Sequence, residues 1–332
     1  MTAAPAGRGP APAILQPMSR LFRDVEGGSR CPHGSVVCIG AFDGLHLGHR
    51  ALVRHAVARA RALGVPVVAL TFEPLPREFF AGDQPPPRLL SARAKVEGLF
   101  QLGIDQVGLL RFDARFAAMS AEDFVRKVLV GQLAVREVWV GPDFHFGKGR
   151  AGDLALLQQM GLELGFEAGQ IEPVLLDGER VSSTRIRKAL QSGDFATAQR
   201  LLGRPYAISG RVVRGAQLGR TLGYPTANLR FHGKTPALSG IYATRVHGID
   251  AALPAVSSLG TRPTVEGIEP LLEAHIFDFD GDLYGRRIAI EFVAKLRDEQ
   301  KFDDLPTLVE QMNRDAEQAR AILMQDQSRA TA

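Results

Sequence analysis

Gly40-Ala41-Phe42-Asp43-Gly44-Leu45-His46-Leu47-Gly48-His49 is the stretch on which the reading of this chain turns. A short apolar run, Ser35–Ile39, precedes it, and a segment of helical periodicity, His49–Leu63, follows it. The order strand, glycine-bearing turn, helix opens a βαβ unit. Two histidines flank one glycine, so both rings can meet a single ligand while the backbone comes close to it. The helix start adds unpaired N–H groups and a positive dipole end, together an anion site. Imidazoles placed there can hydrogen-bond phosphate oxygens whose charge grows during group transfer. A zinc pair is the competing reading, but no third ligand stands at a suitable spacing.

The same alternation continues to about Gly203. Candidate strands are Val65–Phe72, Gln106–Leu110, Glu137–Val140 and Ile171–Val174, and candidate helices are Ala92–Leu102, Ala121–Val130 and Asp153–Gly161. Strands separated by helical stretches of about 10–15 residues build a doubly wound parallel sheet, which collects ligands at the carboxyl ends of its strands. Two segments fall at such ends: Thr71-Phe72-Glu73-Pro74, and Gly141-Pro142-Asp143-Phe144-His145-Phe146-Gly147-Lys148-Gly149. A third, Val181-Ser182-Ser183-Thr184-Arg185-Ile186-Arg187, opens another helix. Its hydroxyls can cap free N–H groups and Arg187 can fork onto phosphate, although a plain N-cap explains Ser183-Thr184 taken alone. Phe42, Phe72, Phe144 and Phe146 can pack against flat rings, with core packing as the alternative.

After Pro205 the texture changes. Ile208–Val213, Ile241–Val246, Ala255–Leu259, Leu272–Phe277 and Arg287–Val293 are short runs between Gly- and Pro-bearing turns, as in a small antiparallel β-barrel. From Leu305 the apolar positions Leu308, Val309, Met312, Ala316, Ala319 and Ile322 recur at helical spacing, so a helix closes the module. The expected division is a flexible extension over 1–18, an α/β domain over 19–204 and a barrel domain over 205–326. Within the barrel, Gly210-Arg211-Val212-Val213-Arg214-Gly215 and Gly219-Arg220-Thr221-Leu222-Gly223-Tyr224-Pro225-Thr226-Ala227-Asn228 form a loop region whose glycines let backbone N–H groups approach phosphate. Turn formation alone also explains such glycines. Thr226 and Asn228 offer two neutral oxygens suited to Mg²⁺ that keeps other positions for water and phosphate. Glu273 alternates with Leu272 and Ala274 and so faces away from their side of the sheet, with His275 on its own face. A solvent-facing carboxylate is the plainer account of Glu273.

Composition removes several classes of function. The longest apolar candidate, Val65–Phe72, falls far short of the roughly 18 residues of a membrane span. A formal charge of +4, spread without basic blocks, does not mark a nucleic-acid binder. The two cysteines, Cys31 and Cys38, do not form a CxxC pair or a disulfide framework. The first 18 residues lack the apolar core of a secretory signal, so cytoplasmic residence is the default.

The HxGH stretch after a first strand resembles the nucleotidyltransferase superfamily. With Thr71–Pro74, Gly141–Gly149 and the Ser183-Thr184 segment, the first module looks like the FAD synthetase half of the bacterial bifunctional riboflavin kinase/FAD synthetase family. Pro225-Thr226-Ala227-Asn228 after the Gly219–Gly223 loop resembles the riboflavin kinase half. Gly260-Thr261-Arg262-Pro263-Thr264 and Leu296–Phe302 match segments of that half as well. The resemblance spans about Gly34 to Ala319. It implies adenylyl transfer from ATP to FMN in the first module, with His46 and His49 stabilising the α-phosphate. The nucleotide-binding set it implies is Gly40, Phe42, Asp43, Gly48, Ser183, Thr184 and Arg187, and the flavin contacts are Asp143 and Phe144. In the second module it implies phosphorylation of riboflavin by ATP. Glu273 would be the base, Thr226 and Asn228 the Mg²⁺ ligands, Gly215, Gly219, Arg220, Gly223 and Pro225 the nucleotide loop, and Arg297 part of the flavin end. The chain departs from the family pattern at Leu75, His145 and Ser258, where histidine, arginine and asparagine are common. The expected partners are riboflavin, FMN and ATP, with no nucleic acid, no membrane and at most a weak homo-oligomer. A single-activity enzyme and a non-catalytic flavin or nucleotide sensor are the competing functions.

Overall fold

In the computed structural model, residues 20–331 are described, apart from 25–27, 83, 216–218, 220–221, 232–233, 250 and 265–266. Six strands build the first module: β1 (Leu21–Phe22), β2 (Ser35–Ile39), β3 (Val67–Glu73), β4 (Gln106–Arg111), β5 (Val135–Val140) and β6 (Glu167–Gln170). They are parallel throughout and lie in the order β1-β4-β3-β2-β5-β6. Val36, Val37 and Cys38 in β2 and Val68, Ala69 and Leu70 in β3 are fully buried. Helices cover both faces, so these strands read as unbroken apolar runs. The chain steps from β2 outward to β3 and β4, then returns to add β5 on the other side of β2. That reversal opens a crevice at the carboxyl ends of β2 and β5. The HxGH turn follows β2 and the Gly141–Gly149 segment follows β5, so topology delivers both to one place.

The helices of this module are α1 (Leu47–Leu63), α2 (Pro76–Phe80), α3 (Ala92–Gln101), α4 (Ala114–Ala117), α5 (Ala121–Asp123, running on as a π-helix over Phe124–Gln132), α6 (Leu154–Leu164), α7 (Ser183–Gln191) and α8 (Phe195–Leu202). A two-stranded hairpin, β7 (Leu175–Leu176) and β8 (Glu179–Arg180), precedes α7. Two expectations need correcting. The last strand of the sheet, β6, is Glu167–Gln170, not Ile171–Val174, because Pro173 has no N–H to give to a ladder and only Ile171 reaches Val140, at 3.0 Å. β3 starts at Val67, and Val65 lies just past α1 as part of its C-terminal cap, its N–H bonding the Ala60 carbonyl at 3.1 Å behind the left-handed Gly64.

The second module is one antiparallel sheet of β9 (Ala207–Arg211), β10 (Ala227–Arg230), β11 (Gly240–His247), β12 (Leu253–Thr264), β13 (Gly267–Ile276) and β14 (Arg287–Arg297), ordered β10-β13-β12-β11-β14-β9. The Val213 N–H donates to the Asn228 carbonyl at 2.9 Å, which brings the two edges together into a nearly closed barrel. β10 is the strand that pattern reading took for loop. A final helix, α9 (Leu305–Thr331), packs Ala319 and Leu323 on Ala243 and Phe277 of the barrel. Leu305, expected on its apolar face, is 53% exposed.

The change in sheet type falls where the sequence changes texture, but the cores do not part there. Ile186 and Leu190 of α7 and Leu201 and Leu202 of α8 join Tyr242, Leu259, Ile290 and Phe292 of the barrel in one cluster. Full burial of such a side chain contributes about 1.5–3 kcal/mol. The α7–α8 pair, whose first turn carries Ser183 and Thr184, is therefore seated on the barrel although it follows the parallel sheet in the chain.

Candidate active sites

The turn after β2 is tightly specified. Phe42, Gly44 and Leu45 all take positive φ, at 51°, 91° and 46°. Phe42 is fully buried, its ring under Gly40 and edge-on to His49 at 5.4 Å, so it supports the loop from below rather than presenting a face to ligand. His46 is the N-cap of α1, its Nδ1 accepting the His49 N–H at 3.3 Å. An accepting Nδ1 leaves the proton of the neutral ring on Nε2, aimed outward as a donor. The His46 and His49 rings stack at 3.7 Å and 16°. Gly48 makes this possible, because a Cβ there would lie 3.2 Å from the His46 ring. Burial, reinforced by Arg180, pulls the His46 imidazole down to about 4. Burial, His46 itself, Lys95 and Arg180 hold His49 well below its usual value. Both rings are neutral at physiological pH, and the buried His49 Nδ1 has no partner among the described residues.

Asp43 ties this turn to its surroundings. Its Oδ1 accepts the Leu89 and Leu90 N–H groups at 3.1 and 3.2 Å, and its Oδ2 pairs with Arg187 at 2.5 Å. Its carbonyl accepts the Ser183 hydroxyl at 2.8 Å. The cap of α7 is Ser182, not Ser183, so Ser183 fastens the start of α7 to the HxGH turn while Thr184 lies exposed beside it. Arg187 also donates to the Pro87 carbonyl at 2.6 Å, and in this structure it braces Asp43. Asp143, at φ 59°, pairs with Arg180 of β8. Arg180 and Lys95 were not picked out by motif reading. Lys95 is buried, its Nζ donating to the Phe72 carbonyl at 3.0 Å, and burial lowers it to about 8. Arg180 stands three positions before Ser183, a spacing that carries no signal without the fold.

An apolar cavity of about 570 Å³ opens at the ends of β2 and β3, lined by Phe72, Phe80, Phe112, Phe116, Phe144 and Phe146 among others. Phe144 and Phe146 stack at 5.4 Å. Phe80, Phe112 and Phe116 were missed because they lie on α2, after β4 and on α4, three separate segments that only the fold brings together. The volume and lining suit one flat, fused-ring ligand. His145 Nδ1 stands 3.1 Å from the Asp143 carbonyl, to which a protonated Nδ1 donates, and 3.2 Å from Arg150, from which an unprotonated one accepts.

In the barrel, two further cavities meet at Thr226. One, about 430 Å³, is lined by Gly215, Pro225, Thr226, Asn228, Asp282 and Tyr284 among others. The other, about 260 Å³, is lined by Gly219, Thr226, Glu273, His275, Arg297 and Phe302 among others. Asn228 is buried, and its Nδ2 donates to the Thr226 carbonyl and hydroxyl at 3.1 and 3.2 Å. Its Oδ1 is buried with no partner among the described residues. A Cβ at Gly215 would stand 2.7 Å from that oxygen, so only glycine leaves the space beside it. A buried acceptor kept open in this way fits a cation better than it fits packing.

Register explains Glu273. Asn228 of β10 and Ser258 of β12 both pair with Glu273 of β13, which sets the carboxylate between them. His275, two residues on, is engaged: its Nδ1 lies 2.9 Å from the Pro225 carbonyl, and its ring packs on Tyr224. Gly223, at φ 82°, completes the turn in which the Tyr224 N–H bonds the Gly219 carbonyl at 2.7 Å. Arg297 is held by Asp315 of α9 at 2.7 and 2.9 Å and lies over Phe302. Leu308 and Met312 of α9 line the same cavity, so the first half of the helical stripe faces a ligand space instead of the core. Arg220 lies outside the described residues.

The FAD synthetase family matches residues 29–185, and the riboflavin kinase family matches residues 202–323. The bifunctional riboflavin kinase/FMN adenylyltransferase of Escherichia coli K12 is 45% identical over 303 residues, 91% of this chain and 97% of that protein. Its counterpart in Haemophilus influenzae is 40% identical over 91% of this chain and 98% of its own. A solved structure described as a macrolide-efflux protein from Streptococcus pneumoniae superposes with a TM-score of 0.72 at 31% identity, covering 90% of this chain and 98% of that one. That description does not extend to this chain, in which no described helix is long and apolar enough to cross a membrane. Two unlike modules, each matched by its own family, and relatives matched over nearly their whole length lead to one assignment: this chain belongs to the bifunctional riboflavin kinase/FMN adenylyltransferase family.

Proposed function

We propose that the barrel converts riboflavin and ATP to FMN and ADP, and that the α/β module converts FMN and ATP to FAD and pyrophosphate. The observation that carries the kinase half is the meeting of two cavities at Thr226, with Glu273 and the open Asn228 Oδ1 beside the junction. ATP occupies the larger cavity beside Gly215 and Pro225, with Gly219 lining the smaller one, and the isoalloxazine end of riboflavin reaches toward Arg297 and Phe302. Glu273 takes the proton of the ribityl hydroxyl as its oxygen attacks the γ-phosphorus and the β–γ bridging bond breaks. Thr226 and Asn228 would hold Mg²⁺, which when bound offsets the triphosphate charge. Arg297 is kept in place for the flavin by its fork to Asp315.

In the α/β module the FMN ring fills the aromatic cavity beside Phe144, near Asp143. An FMN phosphate oxygen attacks the α-phosphorus and pyrophosphate leaves. His46 donates from Nε2 to an α-phosphate oxygen, and a neutral donor does this without paying to discharge an ion pair. His49 stands behind it. The Ser183-Thr184 turn, Arg187 and the backbone at Gly40, Asp43 and Gly48 bind or shape the triphosphate site, and Arg180 faces the same charge. Rate comes from position and electrostatics, with no covalent intermediate. Substrates that are dissolved small molecules accord with a cytoplasmic setting.

The test is a time course with riboflavin, ATP and Mg²⁺, resolved by chromatography. FMN should appear first and FAD after it, with one ADP per FMN and one pyrophosphate per FAD. FMN that accumulates without FAD would remove the adenylyl half, and riboflavin left untouched while supplied FMN is adenylylated would remove the kinase half.

A further inference from the structure

We infer that Lys234 of the riboflavin kinase module is a positioning residue for adenylyl transfer, acting on the paired histidines of the other module through the segment 84–90. The inference rests on the adenylyl-transfer reading of His46 and His49.

Four side chains form a closed charge cluster across the module junction. Arg88 donates to the Glu73 carboxylate at 2.8 and 3.1 Å and forks onto Glu78, and Lys234 reaches Glu78 at 3.3 Å and Glu73 at 3.7 Å. Glu78 and Arg88 are almost fully buried. Two carboxylates are thus matched by two cations, one of which the barrel supplies. Without Lys234 the two carboxylates lose the barrel's cation and keep only Arg88 in contact, with buried Lys95 in the same field, and the arrangement around Arg88 must relax.

Arg88 is not at the end of this chain of contacts. Its N–H donates to the Thr235 carbonyl at 2.8 Å, so its main chain docks on residues 235–236 while its side chain and Lys234 share the same two carboxylates. The next two N–H groups, of Leu89 and Leu90, are the ones that hold the Asp43 carboxylate. The preceding carbonyl, of Pro87, holds Arg187. Pro85, Pro86 and Pro87 fix φ along the approach, so the segment behaves as a stiff strut. Leu89 packs on Gly44 of the histidine turn. A shift of the strut is therefore a shift of Asp43, three residues before His46. Small misplacements of groups that orient reacting atoms cost rate before they cost binding.

Lys234→Met and Lys234→Arg in the full chain test this, with FAD formation from FMN and riboflavin phosphorylation assayed separately. For Lys234→Met the expected result is a fall of about tenfold in kcat for FAD formation with KM for FMN changed less than about twofold. Riboflavin phosphorylation should stay at the wild-type rate, and Lys234→Arg should recover most of the adenylyl rate. Glu78→Gln probes the cluster from the other module and should show the same loss. An unchanged adenylyl kcat in Lys234→Met, a parallel fall of both activities, or no recovery in Lys234→Arg would each overturn the inference. An inactive wild-type chain in the FMN assay would instead sink the reading on which it rests.

Discussion

Replacing His46 by Asn separates the two jobs of that side chain. His46 caps α1 through Nδ1 and, in the proposed reaction, donates from Nε2. Asn is among the best N-caps, so Oδ1 can take over the His49 N–H and keep the helix start. His46→Ala would instead lose the cap at a cost of about 1 kcal/mol. Asn does not place a donor where Nε2 stands, beyond the shorter reach of its amide. Loss of one preorganised donor typically costs about 2.7–4 kcal/mol in the transition state, or about 10²–10³ in kcat. The assay is FAD formation from supplied FMN and ATP, with riboflavin phosphorylation by the same sample as the internal control and urea unfolding as the check on stability. The expected outcome is a loss of two to three orders of magnitude in the first, none in the second, and a midpoint close to wild type. Adenylyl transfer within about tenfold of wild type would show that the imidazole is not the donor. A parallel loss of both activities would refute the division into two sites.

Glu273→Gln should lower riboflavin phosphorylation by about 10²–10⁴ and spare FAD formation from FMN; phosphorylation at the normal rate would remove Glu273 as base. Asn228→Ala should raise the Mg²⁺ concentration needed for half-maximal kinase activity, read by titration, while the adenylyl reaction keeps its own Mg²⁺ dependence. Acid stability follows from the histidine pair. The folded state holds His46 at about 4 against an ordinary 6.5, so between those values the unfolded chain binds the extra proton. The contribution is full above pH 6.5 and is lost as pH falls toward 4, about 3 kcal/mol for His46 alone. Urea midpoints at pH 7 and pH 4.5 measure it, and His46→Asn should flatten the slope; an equal slope in both proteins would refute the cause.

What could be read in the chain before its fold was known was whatever depends on neighbours along it. Ser35–Ile39 was legible to the residue, because both of its faces are buried and its apolar run is continuous. The HxGH turn was legible because a helix start needs its particular residues within ten positions. Glu273 was legible as to its face, since period-two alternation leaves Leu272 and Ala274 buried. β10 was not, because Pro225, Thr226 and Asn228 look like turn formers until β13 supplies the ladder. Nor were Phe80, Phe112, Phe116, Arg180, Lys95 and Asp315, each unremarkable in its own segment. Sequence by itself determined two modules, their sheet types and the glycine-bearing turn that opens α1, because local sterics, alternation and helix capping act over a few residues. Tertiary structure alone decided that Asn228 stands across from Glu273, that α7 and α8 join the barrel's core, and that Lys234 leans on Glu78. These depend on cross-strand register and on burial between elements far apart in the chain, and no short stretch of residues encodes either.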